Sequence, residues 1–117
     1  MYGKTDWLIP DMYWPEITTP GHYVSHEAIC VLNVNDKDAN LTVTFYFEDR
    51  EPIVKEGLKC GARRTNHIRM DKLGAVEMGV PYAALVHSDV PVVVQYSRLD
   101  TTQAENGLIT TIAFAVE

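Results

Sequence analysis

Residues 41–48 are LTVTFYFE, and their alternation decides the fold class. Along an extended chain Leu41, Val43, Phe45 and Phe47 point one way, and Thr42, Thr44, Tyr46 and Glu48 point the other. A period of two belongs to a β-strand with one buried and one wet face. Working outward, HEAICVLN (26–33) places Ala28, Cys30 and Leu32 on one face and Ile29 and Val31 on the other. YAALVH (82–87), VPVVVQY (90–96) and GLITTIAFAV (107–116) are also apolar on both faces, and shorter strand candidates lie at 6–9, 53–58 and 63–70. Turn chemistry separates these runs. VNDKDAN (34–40) and Ser88-Asp89 are rich in side chains that hydrogen-bond nearby backbone. Pro52 and Pro91 stand at strand starts, where a missing donor is tolerated. DKLGAVEMG (71–79) supports one helical turn at most. The expected fold is all-β: an antiparallel β-sandwich, jelly-roll-like, of about eight short strands.

The chain has 117 residues, enough for one self-sufficient core, so residues 1–117 are expected to form a single domain. Its formal net charge of -6 works against sequence-independent nucleic-acid binding and suits a basic partner surface. Cys30 and Cys60 have neither zinc nor CxxC spacing and are expected to be two small core residues in a reducing compartment. MYGKTDWLIP at the start lacks a long apolar run, and no stretch reaches membrane-span length, so a cytoplasmic location is expected. Strands apolar on both faces would expose Ile, Val, Leu or Phe outside a two-layer sandwich. Large exposed apolar patches mark association surfaces, so a homo-oligomer is expected.

Chemistry is sparse. Asp36, Asp38 and Asn40 start like a calcium loop, but Leu41 and Phe47 occupy the positions that need Gly and Glu, which leaves a hairpin turn. His22, His26, His67 and His87 form no HExxH, and no metal site is expected. No nucleophile elbow, phosphate loop or dinucleotide fingerprint is present, so no catalytic residue, cofactor or enzymatic role is expected. The basic stretch KCGARRTNHIRMDK (59–72) is more pointed. Arg64 shares a face with Ile68 and Met70, and an arginine among apolar neighbours needs a carboxylate. Asp100 and Glu105 are the candidate partners. They lie in QYSRLDTTQAEN (95–106), which reads as an unusually long polar connection between two apolar strands. The aromatic segment WLIPDMYWPEITTPGHY (7–23) could cap the sandwich or stack on a sugar face.

In order and spacing, SHEAICVLN, FYFEDREPI, ARRTNHIRM and SDVPVVVQYSRLDTTQAEN resemble the sensory rhodopsin transducer family over roughly residues 7–115. The resemblance implies a β-sandwich tetramer with a non-enzymatic signalling role. It further implies either a small polar, sugar-related ligand or docking on the cytoplasmic face of a membrane receptor. Residues expected to meet a ligand are His26, Glu27, Arg64, His67, Gln95, Arg98 and Asp100, with aromatic contacts from Trp14 or Tyr23.

Overall fold

The computed structural model describes residues 1–16, 20–21 and 23–117. Among these residues eight strands run in chain order: β1 (Lys4–Tyr13), β2 (His26–Asn33), β3 (Ala39–Phe47), β4 (Ile53–Cys60), β5 (Arg64–Arg69), β6 (Pro81–Asp100), β7 (Gly107–Ile112) and β8 (Phe114–Val116). A single helical turn, α1 (Met70–Leu73), follows β5. All pairings are antiparallel. One layer is ordered β4-β3-β6-β1-β8, and the other is β5-β2-β6-β7. The all-β sandwich expected from the alternating runs is the fold observed.

β6 belongs to both layers. Its residues 81–92 pair with β1 and β3, and residues 93–100 pair with β2 and β7. The expectation of two strands broken by a turn at Ser88-Asp89 is therefore corrected: the strand is continuous for 20 residues. The crossing is built locally. Buried Ser88 donates through Oγ to Val90 O (2.6 Å), and Asp89 accepts from Asn40 N and Nδ2, both at 2.8 Å. The β1 register shifts between Lys4↔Val92 and Asp6↔His87, so Pro91 sits where the ladder is already interrupted. The polar connection shortens correspondingly, because Gln95–Asp100 are strand and only 101–106 form the loop.

Alternation fills the space between layers. Leu41, Val43 and Phe45 of β3, Trp7 and Ile9 of β1, and Ile29 and Val31 of β2 are all buried, as are Val86 and Val94 at the two ends of β6. Each such side chain contributes about 1.5–3 kcal/mol by leaving water. Asn33, fully buried, ties the 34–38 turn to the β4–β5 turn through Nδ2 donations to Lys37 O (2.8 Å), Cys60 O (3.2 Å) and Gly61 O (3.2 Å). α1 stops at Gly74, whose φ of 77° is the left-handed cap that glycine adopts without strain. Among the described residues no helix is long and apolar enough to cross a membrane.

The outer faces keep apolar groups. In one row across the first layer, Val54, Thr44, Leu85, Leu8 and Phe114 stand side by side on five strands. Phe114 is 67% exposed, and Leu108 on β7 in the second layer is 73% exposed.

Candidate functional site

Glu27 is 0% exposed, the one buried carboxylate among the described residues, and four hydrogen bonds converge on it. It sits on the inward face of β2 in step with Ile29 and Val31, and β2–β6 pairing sets it directly opposite Arg98. Its Oε1 accepts from Tyr82 Oη (2.5 Å). Its Oε2 accepts from the Tyr13 backbone N–H (2.7 Å), from Tyr96 Oη and from Arg98 Nε (3.3 Å). Arg98 Nε also donates to Tyr96 Oη (2.8 Å) and the guanidinium carbon lies 5.7 Å from the Tyr96 ring centre.

The course of β6 makes this cluster. Tyr82, Tyr96 and Arg98 are even-numbered positions on one strand and point inward, but Tyr82 stands in the first layer and Tyr96 in the second. Glu27 receives a phenol from each layer, and Tyr13 brings in β1. One carboxylate thereby joins three strands and both sheets. A buried carboxylate is tolerated only when paired and hydrogen-bonded, and here four donors converge on it.

Burial, followed by the nearby Glu27 charge, pushes the Tyr82 phenol far above its ordinary value. Tyr96 is pushed up by burial and by its hydrogen bond to Glu27. For Arg98 burial opposes the charge, but Tyr96 and Glu27 together hold its affinity for the proton above the ordinary arginine value. The sign for stability follows. Folded tyrosines retain protons that the unfolded chain releases, so their contribution is complete below the ordinary tyrosine value of about 10 and is lost as pH rises beyond it. The urea midpoint of the wild-type protein should therefore fall more steeply above about pH 10 than that of a Tyr82→Phe, Tyr96→Phe variant. Parallel pH profiles for the two proteins would refute the assignment.

Arg98 and Tyr96 also form the floor of a cleft of about 470 Å³. It opens at the edge of the sandwich where the chain crosses from β7 to β8. Its walls are Ile9, Ile109, Ile112 and Phe114, with Thr111 and Asp11 as further polar groups. The Arg98 side chain is 18% exposed, and its Nη2 stands 3.9 Å from Asp11 Oδ1, whose side chain is 91% exposed. The guanidinium is thus anchored by Nε to the buried carboxylate and turns its other end to the cleft.

Of the residues expected to meet a ligand, the structure brings Glu27 and Arg98 together. His26 is beside Glu27 in sequence but on the opposite face, where Nδ1 donates to Val24 O (2.9 Å). His67 and Gln95 flank Cys30 on the outer face of the second layer, beside a smaller depression of about 240 Å³. Arg64 pairs with Asn33 at the far end of that layer, is exposed, and donates to Arg63 O (3.0 Å). Asp100 accepts from Thr102 N (2.9 Å) in the β6–β7 turn. The expected partnership of Arg64 with Asp100 or Glu105 is corrected: the inward-facing arginine is Arg98, and its carboxylates are Glu27 and Asp11. Trp14 packs on the core and donates through Nε1 to Ser25 O (3.1 Å), while Tyr23 is exposed. His22 and residues 17–19 of the aromatic segment lie outside the described residues. Among those described, no cluster of three or more His, Cys, Asp or Glu side chains could hold a metal ion. Tyr82, Tyr96, Tyr13 and Asp11 were missed by sequence reasoning. The parity of an unbroken β6 would have aligned both tyrosines with Arg98.

A family model described as the Anabaena sensory rhodopsin transducer matches residues 2–115. A solved structure described as the crystal structure of Thermotoga maritima 1070 is 40% identical, with a TM-score of 0.93 over 100% of this chain and 98% of that one. The Anabaena sensory rhodopsin transducer itself is 37% identical, with a TM-score of 0.75 over 88% of this chain and 94% of that one. Comparison with curated protein sequences gives no match.

Proposed function

Because this chain belongs to the Anabaena sensory rhodopsin transducer family, we propose that it is a non-enzymatic signalling domain that senses a small molecule in the Arg98 cleft. The observation that carries this reading is the shared guanidinium. Arg98 lines a cleft of about 470 Å³, within the usual range of roughly 300–1,000 Å³ for ligand sites, and the same side chain is hydrogen-bonded to the Glu27 hub that joins both sheets. A ligand that draws on Arg98 changes the pull on Glu27 and, through Tyr82 and Tyr13, the relation of the two layers. A ligand shifts a conformational equilibrium only by its differential affinity, and this linkage supplies a place for such a difference.

In this reading the chain works in the cytoplasm as a homo-oligomer, a tetramer by family resemblance, and its exposed Leu108 and Phe114 support association. A second reading is direct docking on a membrane receptor, a rhodopsin in the case that the Anabaena relative's name describes. The net charge of -6 supports it, because cytoplasmic receptor loops are rich in Lys and Arg. Such docking weakens steeply with salt, whereas a ligand held in the cleft does not depend on a receptor.

Backbone amide mapping by NMR with small-molecule mixtures tests the first reading. Shifts should concentrate at Tyr96, Arg98, Ile109 and Thr111. Shifts confined to the outer faces would favour docking instead.

A further inference from the structure

Resting on the reading of the cleft as a sensing site, we infer that its ligand is an α-amino acid with an apolar side chain. Two opposite charges mark the cleft: the Arg98 guanidinium on the floor and the Asp11 carboxylate at the rim, 3.9 Å apart. That separation is at the outer limit of an ion pair, and Asp11 is exposed enough to rotate freely around an incoming group. Glu27 already balances the Arg98 charge from beneath. A simple carboxylic acid would meet two carboxylates and one guanidinium, and a simple amine would have to approach Arg98. A zwitterion resolves both conflicts by setting its carboxylate on Arg98 and its ammonium on Asp11. The guanidinium fork suits a carboxylate geometrically.

The walls select the remainder of the molecule. Ile9, Ile109, Ile112 and Phe114 offer apolar surface, and burying an aliphatic or aromatic side chain against them adds about 25 cal/mol for each Å² removed from water. A sugar would leave this surface uncovered and its own hydroxyls short of partners, since Thr111 is the sole hydroxyl apart from Tyr96 among the described lining residues. Polar groups left unpaired in a site are what reject a ligand most strongly.

Isothermal titration calorimetry at fixed salt separates the alternatives, with L-leucine, isovalerate, isoamylamine and D-glucuronate as probes and the oligomeric mass measured in parallel. The expected result is binding of L-leucine, with isovalerate and isoamylamine each at least about tenfold weaker because each lacks one charge contact and isovalerate also lacks one methylene of the leucine skeleton. Asp11→Asn should weaken L-leucine by a similar factor and leave isovalerate no weaker than before. Because Asp11 is exposed, that variant should melt like the wild type. Binding of D-glucuronate or of isovalerate in preference to L-leucine overturns the amino-acid assignment and leaves the sensing cleft standing. If all four probes are silent and Phe114→Ser lowers the oligomeric mass, the cleft is a subunit contact and both readings fall. Silence of all four with unchanged mass likewise overturns the assignment.

Discussion

Glu27→Ala is expected to lower folding stability by about 3–5 kcal/mol, the usual cost of removing one partner from a buried, hydrogen-bonded charge pair. Truncation leaves three donors without their acceptor at once: Tyr82 Oη, Tyr96 Oη and the Tyr13 backbone N–H. Arg98 would keep its Nε bond to Tyr96 Oη (2.8 Å) but lose its buried counter-charge, with only exposed Asp11 left at 3.9 Å to balance it. Small domains are stable by only about 5–15 kcal/mol, so the variant should sit near the threshold of folding. Glu27→Gln should fall between alanine and the wild type. Its amide oxygen still accepts from one phenol, but its NH₂ faces donors and leaves at least one unpaired. Urea unfolding at neutral pH measures all three proteins. A loss below about 1 kcal/mol for the alanine variant would mean that the carboxylate is not the hub described here.

Phe45→Ala should be comparably severe, about 3–5 kcal/mol, because truncating a buried aromatic combines lost transfer free energy with a cavity. Phe45 is fully buried two residues before the end of β3, and its ring centre lies 5.9 Å from that of Tyr82. The cavity would open beneath the phenol that Glu27 holds, so the two substitutions touch a shared neighbour and should not add independently. Phe47→Ala is the contrast. Phe47 is half-buried, and Arg50 lies over its ring at 5.0 Å on the surface. Its loss should be less than half that of Phe45→Ala. Equal losses at 45 and 47 would contradict the difference in burial between these two positions on the same inward face.

These residues also indicate what a sequence can convey. The alternation in LTVTFYFE predicts burial of Leu41, Val43 and Phe45, and the structure buries all three because parity alone decides the face of a strand. Parity says nothing about which layer a residue occupies or how high it stands. His67 and Gln95 share the outer face with Cys30, Arg64 stands at the far end of its layer, and of the expected residues only Glu27 and Arg98 meet. The break assumed at Ser88-Asp89 had a further cost. Ser, Asp and Pro usually signal a turn, but here Ser88 and Asp89 hold the backbone of a strand passing between layers. Splitting that strand hid the common parity of Tyr82, Tyr96 and Arg98. Tyrosines in apolar runs also look like ordinary core, and nothing local marks the distant carboxylate that their hydroxyls require.

Under the proposed function, the Arg98 cleft receives a small molecule and Glu27 links it to both sheets. The most direct measurement is the amide spectrum of the protein as ligand mixtures are titrated. Shifts are expected at Tyr96, Arg98, Ile109 and Thr111 around the cleft, accompanied by shifts at Glu27, Tyr13 and Tyr82 that disappear in Glu27→Gln. Cleft shifts that never reach Tyr82, or no shift anywhere in a folded protein at millimolar ligand, would contradict the proposed function.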